Sequence, residues 1–505
     1  MELSKNKNST GAESIISSTH PPLPKGWVWV RLGETCSEPQ YGWTTKARSN
    51  GNLHLLRTTD ITSGSIDWDK VPFCEKEPLE KEKYILKEGD IVISRAGSVG
   101  YSCLITNPKN AVFGSYLIRF RPLVSIVNER YLAVFLKSPF YWNLISEKSI
   151  GIAIPNVNAS KLKEIPIPLP PLPEQQRIVS KIEELFTKLD AGVDALKKAK
   201  EQIKRYRQAV LKYAFEGKLT EEWREANMDK LESVSVLLER IKEERKKKLG
   251  KKYKELPPID TSELPELPKG WMWVRVKDIG EVVTGTTPSK TKQEYYGKDY
   301  PFFKPTDLNA GYYVKKSEDS LSKEGISKAR LLPSKSILVT CIGATIGKTG
   351  FIRIPGASNQ QINAIIPYDS ILPEYIYFIC ISPQFQKSIV GNASATTLPI
   401  LNKSSFEVLL LPLPPLPEQQ KIVEEIEQRF SVADEVEKAI DNSLKQAERL
   451  RQSILKKAFE GKLVPQDPSD EPAEKLLEKF KAEKEKELEI TRNNFANKSK
   501  RNSKK

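Results

Sequence analysis

Histidine is nearly absent from this 505-residue chain, which has only His20 and His54. Its scarcity excludes His-based nucleophilic triads, HExxH zinc sites and histidine phosphoryl transfer, and leaves His54 a structural reading. The five cysteines (Cys36, Cys74, Cys103, Cys341, Cys380) are scattered without a C-x-x-C pair. Neither a disulfide framework nor a zinc site is indicated, so they are read as ordinary reduced thiols. The first twenty residues have no apolar run of signal-peptide length, and no stretch approaches the roughly 18 apolar residues of a membrane span. A cytoplasmic location is expected.

Catalytic motifs are missing as well. There is no [DN]-P-P-[YFW] motif or Gly-rich cofactor loop of a base methyltransferase, and no carboxylate pair in a nuclease-like setting. The stretch GATIGKT (Gly343 to Thr349) resembles a phosphate-binding P-loop but is one residue short. That motif needs G-x-x-x-x-G-K-[ST], whose spacing lets successive backbone N–H groups curl around phosphate. The first-half counterpart, SRAGSVGYS, has no Lys after Gly100. A tight strand-to-strand turn is the expectation, with a P-loop-like ATPase as the enzymatic alternative. The chain reads as non-catalytic, with no cofactor and no metal of its own.

What is present is a duplication. PLPPLPEQQRIV…LKYAFEGKL (Pro168 to Leu219) recurs as PLPPLPEQQKIV…LKKAFEGKL (Pro412 to Leu463), an offset of 244 at both ends. The opening PPLPKGWVWVRLGE (Pro21 to Glu34) is matched by LPKGWMWVRVKD (Leu267 to Asp278) at the same offset, and reads as a first strand. Between opening and cassette the halves differ but keep landmarks in order. RTTDI (Arg57 to Ile61) answers KPTDL (Lys304 to Leu308), and GDIVISRAGSVG (Gly89 to Gly100) answers KSILVTCIGATIG (Lys335 to Gly347), a buried-type strand entering a Gly turn. AVFGSYLIRFRP (Ala111 to Pro122) answers ASNQQINAIIP (Ala357 to Pro367), then each half has a short helix pattern and Pro-rich strands. This predicts one mixed α/β fold of irregular topology carrying two different surfaces.

Each cassette reads as one long helix. Pro173 and Glu174 suit a first turn, and Gly217 and Gly461 are natural stops. Apolar residues recur at Ile178, Ile182, Leu185, Leu189, Val193, Leu196, Ile203, Tyr206, Val210 and Tyr213. The second copy has Ile422, Ile426, Phe430, Ala433, Val436, Ile440, Leu444, Ala447, Leu450, Ile454 and Ala458. Such a near-heptad seam requires a partner helix. From Glu174 to Glu216 the helix would run about 64 Å.

The expected organisation is a disordered leader (1–20), a first α/β domain (21–172), a helical spacer (173–217), a charged helix with Pro-rich linker (218–266), a second α/β domain (267–416), a second spacer (417–461), and a charged helix with a disordered basic tail (462–505). Lys and Arg exceed Asp and Glu by 15. That excess suits a polyanionic partner such as nucleic acid, and equally a solubilising surface. Residue types that read base edges or grip phosphate gather in the variable loops. The first half offers Tyr41, Thr44, Thr45, Lys46, Arg48, Arg57, Arg95 and Ser98; the second offers Thr286, Thr287, Ser289, Lys290, Lys292, Gln360, Gln361 and Asn363. Gln361 and Asn363 could equally hold the fold by bonding backbone groups. A coiled-coil adaptor that binds protein is the non-enzymatic alternative.

Taken together, the twin PLPPLPEQQ…FEGKL cassettes, the GW-W-VR openings, and the GTTPSK and CIGATIGK…NQQIN landmarks resemble the specificity subunit of type I restriction–modification enzymes. The resemblance spans about Pro21 to Pro465. It implies two target-recognition domains, each reading part of a split double-stranded DNA sequence, with the cassettes paired as an antiparallel coiled coil that spaces them. Two modification subunits using S-adenosylmethionine for N6-adenine methylation would dock on the helices. ATP- and Mg2+-dependent restriction subunits would join them to translocate and cleave DNA. Half one lacks the GTPS-type loop and the NQQ segment of half two.

Overall fold

The structure, a computed structural model, describes residues 21–149, 156–394, 398–483 and 485. The leader and the basic tail from Arg492 onwards lie outside the described residues. Contacts divide the chain into two compact units: residues 1–196 with 442–505, and residues 197–441. Each unit thus holds one α/β domain and part of each long helix.

In the first unit the opening strand β1 (Val28–Arg31) is followed by β2 (Gln40–Tyr41), β3 (Ala47–Arg48), β4 (His54–Leu56), β5 (Phe73–Cys74), β6 (Ile91–Ser94), β7 (Ser102–Leu104), β8 (Ala111–Phe113), β9 (Leu117–Phe120) and β10 (Pro166–Leu169). Strands β1 and β10 pair antiparallel, Val28 opposite Leu169 and Arg31 opposite Pro166. The remaining strands form two sheets, ordered β2-β9-β6-β7 and β3-β5-β4-β8. The first is antiparallel throughout; in the second, β4 and β8 run parallel. His54 is structural, its Nδ1 2.9 Å from the Val71 carbonyl and its ring 4.2 Å from that of Phe73.

The second unit repeats this plan. Strands β11 (Met272–Arg275), β12 (Gly280–Thr284), β13 (Tyr296–Phe303), β14 (Asp319–Leu321), β15 (Ile337–Thr340), β16 (Thr349–Phe351), β17 (Ala357–Ser358), β18 (Ile362–Pro367) and β19 (Leu410–Leu413) follow in order. Strand β11 pairs β19 with Met272 opposite Leu413, each residue 244 positions beyond its first-unit counterpart. The sheets are ordered β12-β18-β15-β16 and β14-β13-β17, again with one parallel pair, β13 with β17. Apart from β3, which has no counterpart in the second domain, dissimilar sequences therefore carry one topology.

The pattern read as a single short helix is two helices in each domain, Glu129–Phe135 with Pro139–Ser149 and Pro373–Cys380 with Pro383–Gly391. The break falls at a Ser-Pro step. Proline cannot continue the helix but suits a first turn, and Ser382 caps the new one by accepting the Phe385 N–H.

The long helices run Leu172–Phe215 and Leu416–Phe459 and end at Gly217 (φ 72°) and Gly461 (φ 67°). In the first unit Arg451 pairs with Asp190 and lies 4.3 Å over the Phe186 ring. In the second, Arg207 pairs with Asp434 at 2.5 Å and Glu437 at 2.7 Å and lies 6.0 Å over Phe430, while Lys200 reaches Asp441 at 2.7 Å. From Lys200–Asp441 to Arg207–Asp434 residue number rises along one helix as it falls along the other, so the pairing in the second unit is antiparallel. Ile178, Ile182, Ile422, Ile426, Ile440 and Ile454 are buried; Leu185, Leu189, Leu196, Ile203, Phe430 and Leu444 are half-buried. Tyr206, Tyr213, Val436 and Leu450, also on the apolar stripe, are instead exposed by 46 to 52%. A two-helix seam covers a narrower face than the stripe offers.

All five cysteines are buried and unbridged. Among the described residues no helix is long and apolar enough to cross a membrane.

Candidate nucleic-acid interface

The variable loops start from a close crossing of backbone that both domains share. After β2 the chain leaves one sheet for the other, with Gly42 N–H donating to Leu117 O (3.1 Å) and Trp43 N–H to Phe113 O (2.7 Å). After β12, Gly285 N–H donates to Ile362 O (3.0 Å) and Thr286 N–H to Ser358 O (2.9 Å). A Cβ at Gly42 would stand 2.1 Å from the Gly114 oxygen, and one at Gly285 2.1 Å from the Asn359 oxygen, so only glycine permits either crossing. Although half one lacks the GTPS-type sequence, it makes the same turn.

In the first domain Thr44, Lys46 and Arg48 are exposed along this loop. Thr45 is half-buried and accepts the Lys76 N–H at 3.0 Å, which ties the loop to the neighbouring sheet. Tyr41 accepts the Ala159 N–H on its hydroxyl (3.0 Å), and the Arg95 guanidinium lies 5.1 Å from its ring centroid. Ser98 is half-buried in the turn between β6 and β7. Arg57 is engaged within its own helical turn, bonded to Asp60 at 2.8 Å, and Asp60 also accepts the Arg57 backbone N–H. Hydrogen bonding to Asp60 holds its guanidinium above the ordinary arginine range. The same turn recurs at Lys304, whose N–H donates to Asp307 at 2.7 Å. The shared Arg57 and Lys304 landmarks thus have a local structural role.

In the second domain the Thr287 hydroxyl bonds to Gln360, joining the GTTPSK loop to the NQQ segment. Thr286 is half-buried; Ser289, Lys290 and Lys292 are exposed, with Ser289 bonded to Thr291 (2.8 Å) and Lys292 5.3 Å from the Tyr295 ring centroid. Gln361 accepts from Asn359 (2.9 Å). Asn363 is buried within β18, where its Oδ1 accepts the Thr284 hydroxyl at 2.7 Å. This bond joins β18 to β12, where Thr284 stands opposite Asn363.

Two exposed residues near these loops escaped sequence reading. Tyr116, 63% exposed, accepts the Arg95 backbone N–H at 2.9 Å, and Arg330 donates to the Thr284 carbonyl at 3.1 Å. An aromatic inside the polar stretch before β9 was the available signal for Tyr116; Arg330 carried none.

The GATIGKT stretch joins β15 to β16, which pair antiparallel with Val339 opposite Thr349. No helix follows the turn. Lys348 donates to Asn309 at 2.9 Å, and Gly347 N–H closes on Thr340 O at 2.8 Å, as Gly100 N–H closes on Ser94 O at 2.9 Å in the first domain. The turn lacks the strand-to-helix setting of a phosphate cradle.

Two tandem copies of one fold, differing in their loops, carry the match that decides the family. The family model described as the type I restriction modification DNA specificity domain covers residues 24–205 and again 268–446. The chain belongs to this family. Among members of the type I specificity family, it is 29% identical over 498 residues to the EcoKI specificity subunit of Escherichia coli K12, covering 92% of this chain and 96% of that protein. The EcoDI specificity subunit of E. coli is 28% identical over 485 residues with the same coverage. A solved chain from work on assembly and conformational transition of the type I R-M system matches with a TM-score of 0.62 at 21% identity, covering 88% of this chain and all of that one. The HsdS subunit of Thermoanaerobacter tengcongensis matches at 0.50 and 20% with the same coverage, and these two likenesses bear on the fold alone.

Proposed function

We propose that this chain is the DNA-specificity subunit of a cytoplasmic type I restriction–modification complex, each recognition domain reading one part of a bipartite DNA target. The observation that carries this reading is the pair of family-matched domains, alike in topology and unlike in the loops that leave the glycine crossing. Loops that share a scaffold but not a sequence are suited to reading two different base sequences.

On this reading the chain performs no chemistry. Two modification subunits supply S-adenosylmethionine-dependent adenine methylation, with the base flipped from the duplex. Restriction subunits supply ATP- and Mg2+-dependent translocation and cleavage. The paired helices serve as spacer and docking platform.

Long-read methylation mapping with and without the gene tests the proposal. A bipartite motif carrying adenine methylation should disappear with the gene. If the purified chain with its partners shows no sequence-specific, salt-dependent DNA binding, the adaptor reading replaces this one.

A further inference from the structure

We infer that Arg95, held against the ring of Tyr41, reads the edge of one guanine in the half-site of the first recognition domain. This rests on the DNA-specificity reading and assigns one contact within it.

Arg95 stands apart from other enclosed arginines of the first unit. Arg31, Arg119, Arg121 and Arg177 each have an acceptor: Glu164 (3.2 Å), the Ile85 carbonyl (3.0 Å), Asp90 (2.7 Å) and Asp470 (2.6 Å). Arg95 is half-buried, and its Nε is sealed from solvent without a hydrogen-bond partner. Its guanidinium lies 5.1 Å from the Tyr41 ring centroid. Only Nε is sealed; the two terminal Nη groups have no partner among the described residues and stay accessible, so they are the donors left for a ligand's acceptors.

The surroundings fix where that cation points. The Arg95 N–H donates to Tyr116 O (2.9 Å), and its carbonyl accepts the Val157 N–H (3.0 Å). Tyr41 is fixed in turn by the Ala159 N–H on its hydroxyl, 3.0 Å away. The next residue, Ala96, bridges Asn156, whose Oδ1 is also buried without a partner. A planar fork whose backbone and stacking surface are both immobilised matches two acceptors in one plane, as guanine O6 and N7 present them in the major groove. A phosphate contact needs only charge, which the exposed Lys46 and Arg48 of the same domain provide. In the second domain Cys341 takes the place of Arg95: its N–H bonds to Gln361 O (2.7 Å) as that of Arg95 bonds to Tyr116 O. Cys341 is buried, so the two domains read differently here.

The test uses the full chain assembled with its partner subunits. Methylation mapping of the wild type first defines the motif; if there is none, the DNA-specificity reading fails before Arg95 is examined. Binding is then measured on duplexes carrying the motif and every single-base replacement. The wild type should reject replacement of one G·C pair in one half-site by about 10-fold or more. R95A and R95K should lose that discrimination and retain it at the other half-site. Y41L should weaken it more than Y41F, which keeps the ring under Arg95 but loses the Ala159 bond. R95K keeps charge and bulk, so its loss at unchanged melting temperature separates reading from folding. Unchanged discrimination in R95K overturns the inference. So does uniform weakening of R95A on every duplex with a shallower salt dependence, the signature of a phosphate contact.

Discussion

Trp271 donates its indole N–H to Glu418 at 2.8 Å, and Thr220 (2.8 Å) and Arg224 (2.9 Å) share the other carboxylate oxygen. Glu418 is fully buried at the start of the second long helix, so the opening strand, the helix start and the segment after the first long helix meet on one charge. In the first unit Trp27 makes the same bond to Glu174 at 3.0 Å, but Val464 and Pro468 stand where Thr220 and Arg224 would be, and Glu174 Oε1 has no partner.

This asymmetry predicts opposite responses to one substitution. E418Q strands Arg224 and should destabilise the second unit by about 3 kcal/mol or more. Burial raises the Glu174 carboxyl above its ordinary value, only partly offset by the Trp27 bond. A carboxyl that holds its proton more tightly when folded opposes folding as pH rises from the unfolded value through the folded one. E174Q should therefore stabilise the first unit at pH 7 and match the wild type below about pH 4. Thermal melts across pH check both; a wild-type advantage at neutral pH contradicts the assignment.

At the glycine crossings, G42A and G285A each drive a methyl into a carbonyl oxygen. Each should cost about 3 kcal/mol or more. Only the half-site of the altered domain should lose binding, as read by duplexes changed in one half at a time.

The helix pairing can be tested at Arg207 and Glu437. The pair is partly shielded, with side chains 22% and 31% exposed, so a double-mutant cycle should give about 1 kcal/mol of coupling. R207E with E437R should recover part of the loss of either reversal, and the coupling should shrink at about 1 M salt.

Lys348 distinguishes turn from P-loop. K348A removes one bond to Asn309 and should change stability by less than about 0.5 kcal/mol. Calorimetry should find no ATP binding before or after the substitution; ATP binding abolished by K348A would restore the enzymatic reading.

The spacer role predicts a change of gap. Seven residues inserted after Leu196 and seven after Leu444 leave the Asp190–Arg451 and Lys200–Asp441 pairs on either side intact. Methylation mapping should show the same specified bases around a different unspecified gap. An unchanged gap removes the spacer role.

The repeat, both long helices and the two opening strands were legible because each is carried by contiguous residues at a fixed offset. The two sheets of each domain were not. Most of their strands are two to four residues long, too short for alternation to register. Loop residues were recognisable by type but not by engagement. Arg57 is committed to Asp60, Asn363 is inside a sheet, and Arg95 meets Tyr41, 54 positions earlier in the chain. Such juxtapositions come from topology, to which neither composition nor spacing gives access.

Each domain enters and leaves through one two-stranded ladder, β1 with β10 and β11 with β19. Everything between Arg31 and Pro166, or between Arg275 and Leu410, is therefore a closed excursion whose ends are neighbours. A graft cut at those residues has one short hinge to satisfy, so a foreign reading head could be exchanged there with the rest of its unit left as scaffold.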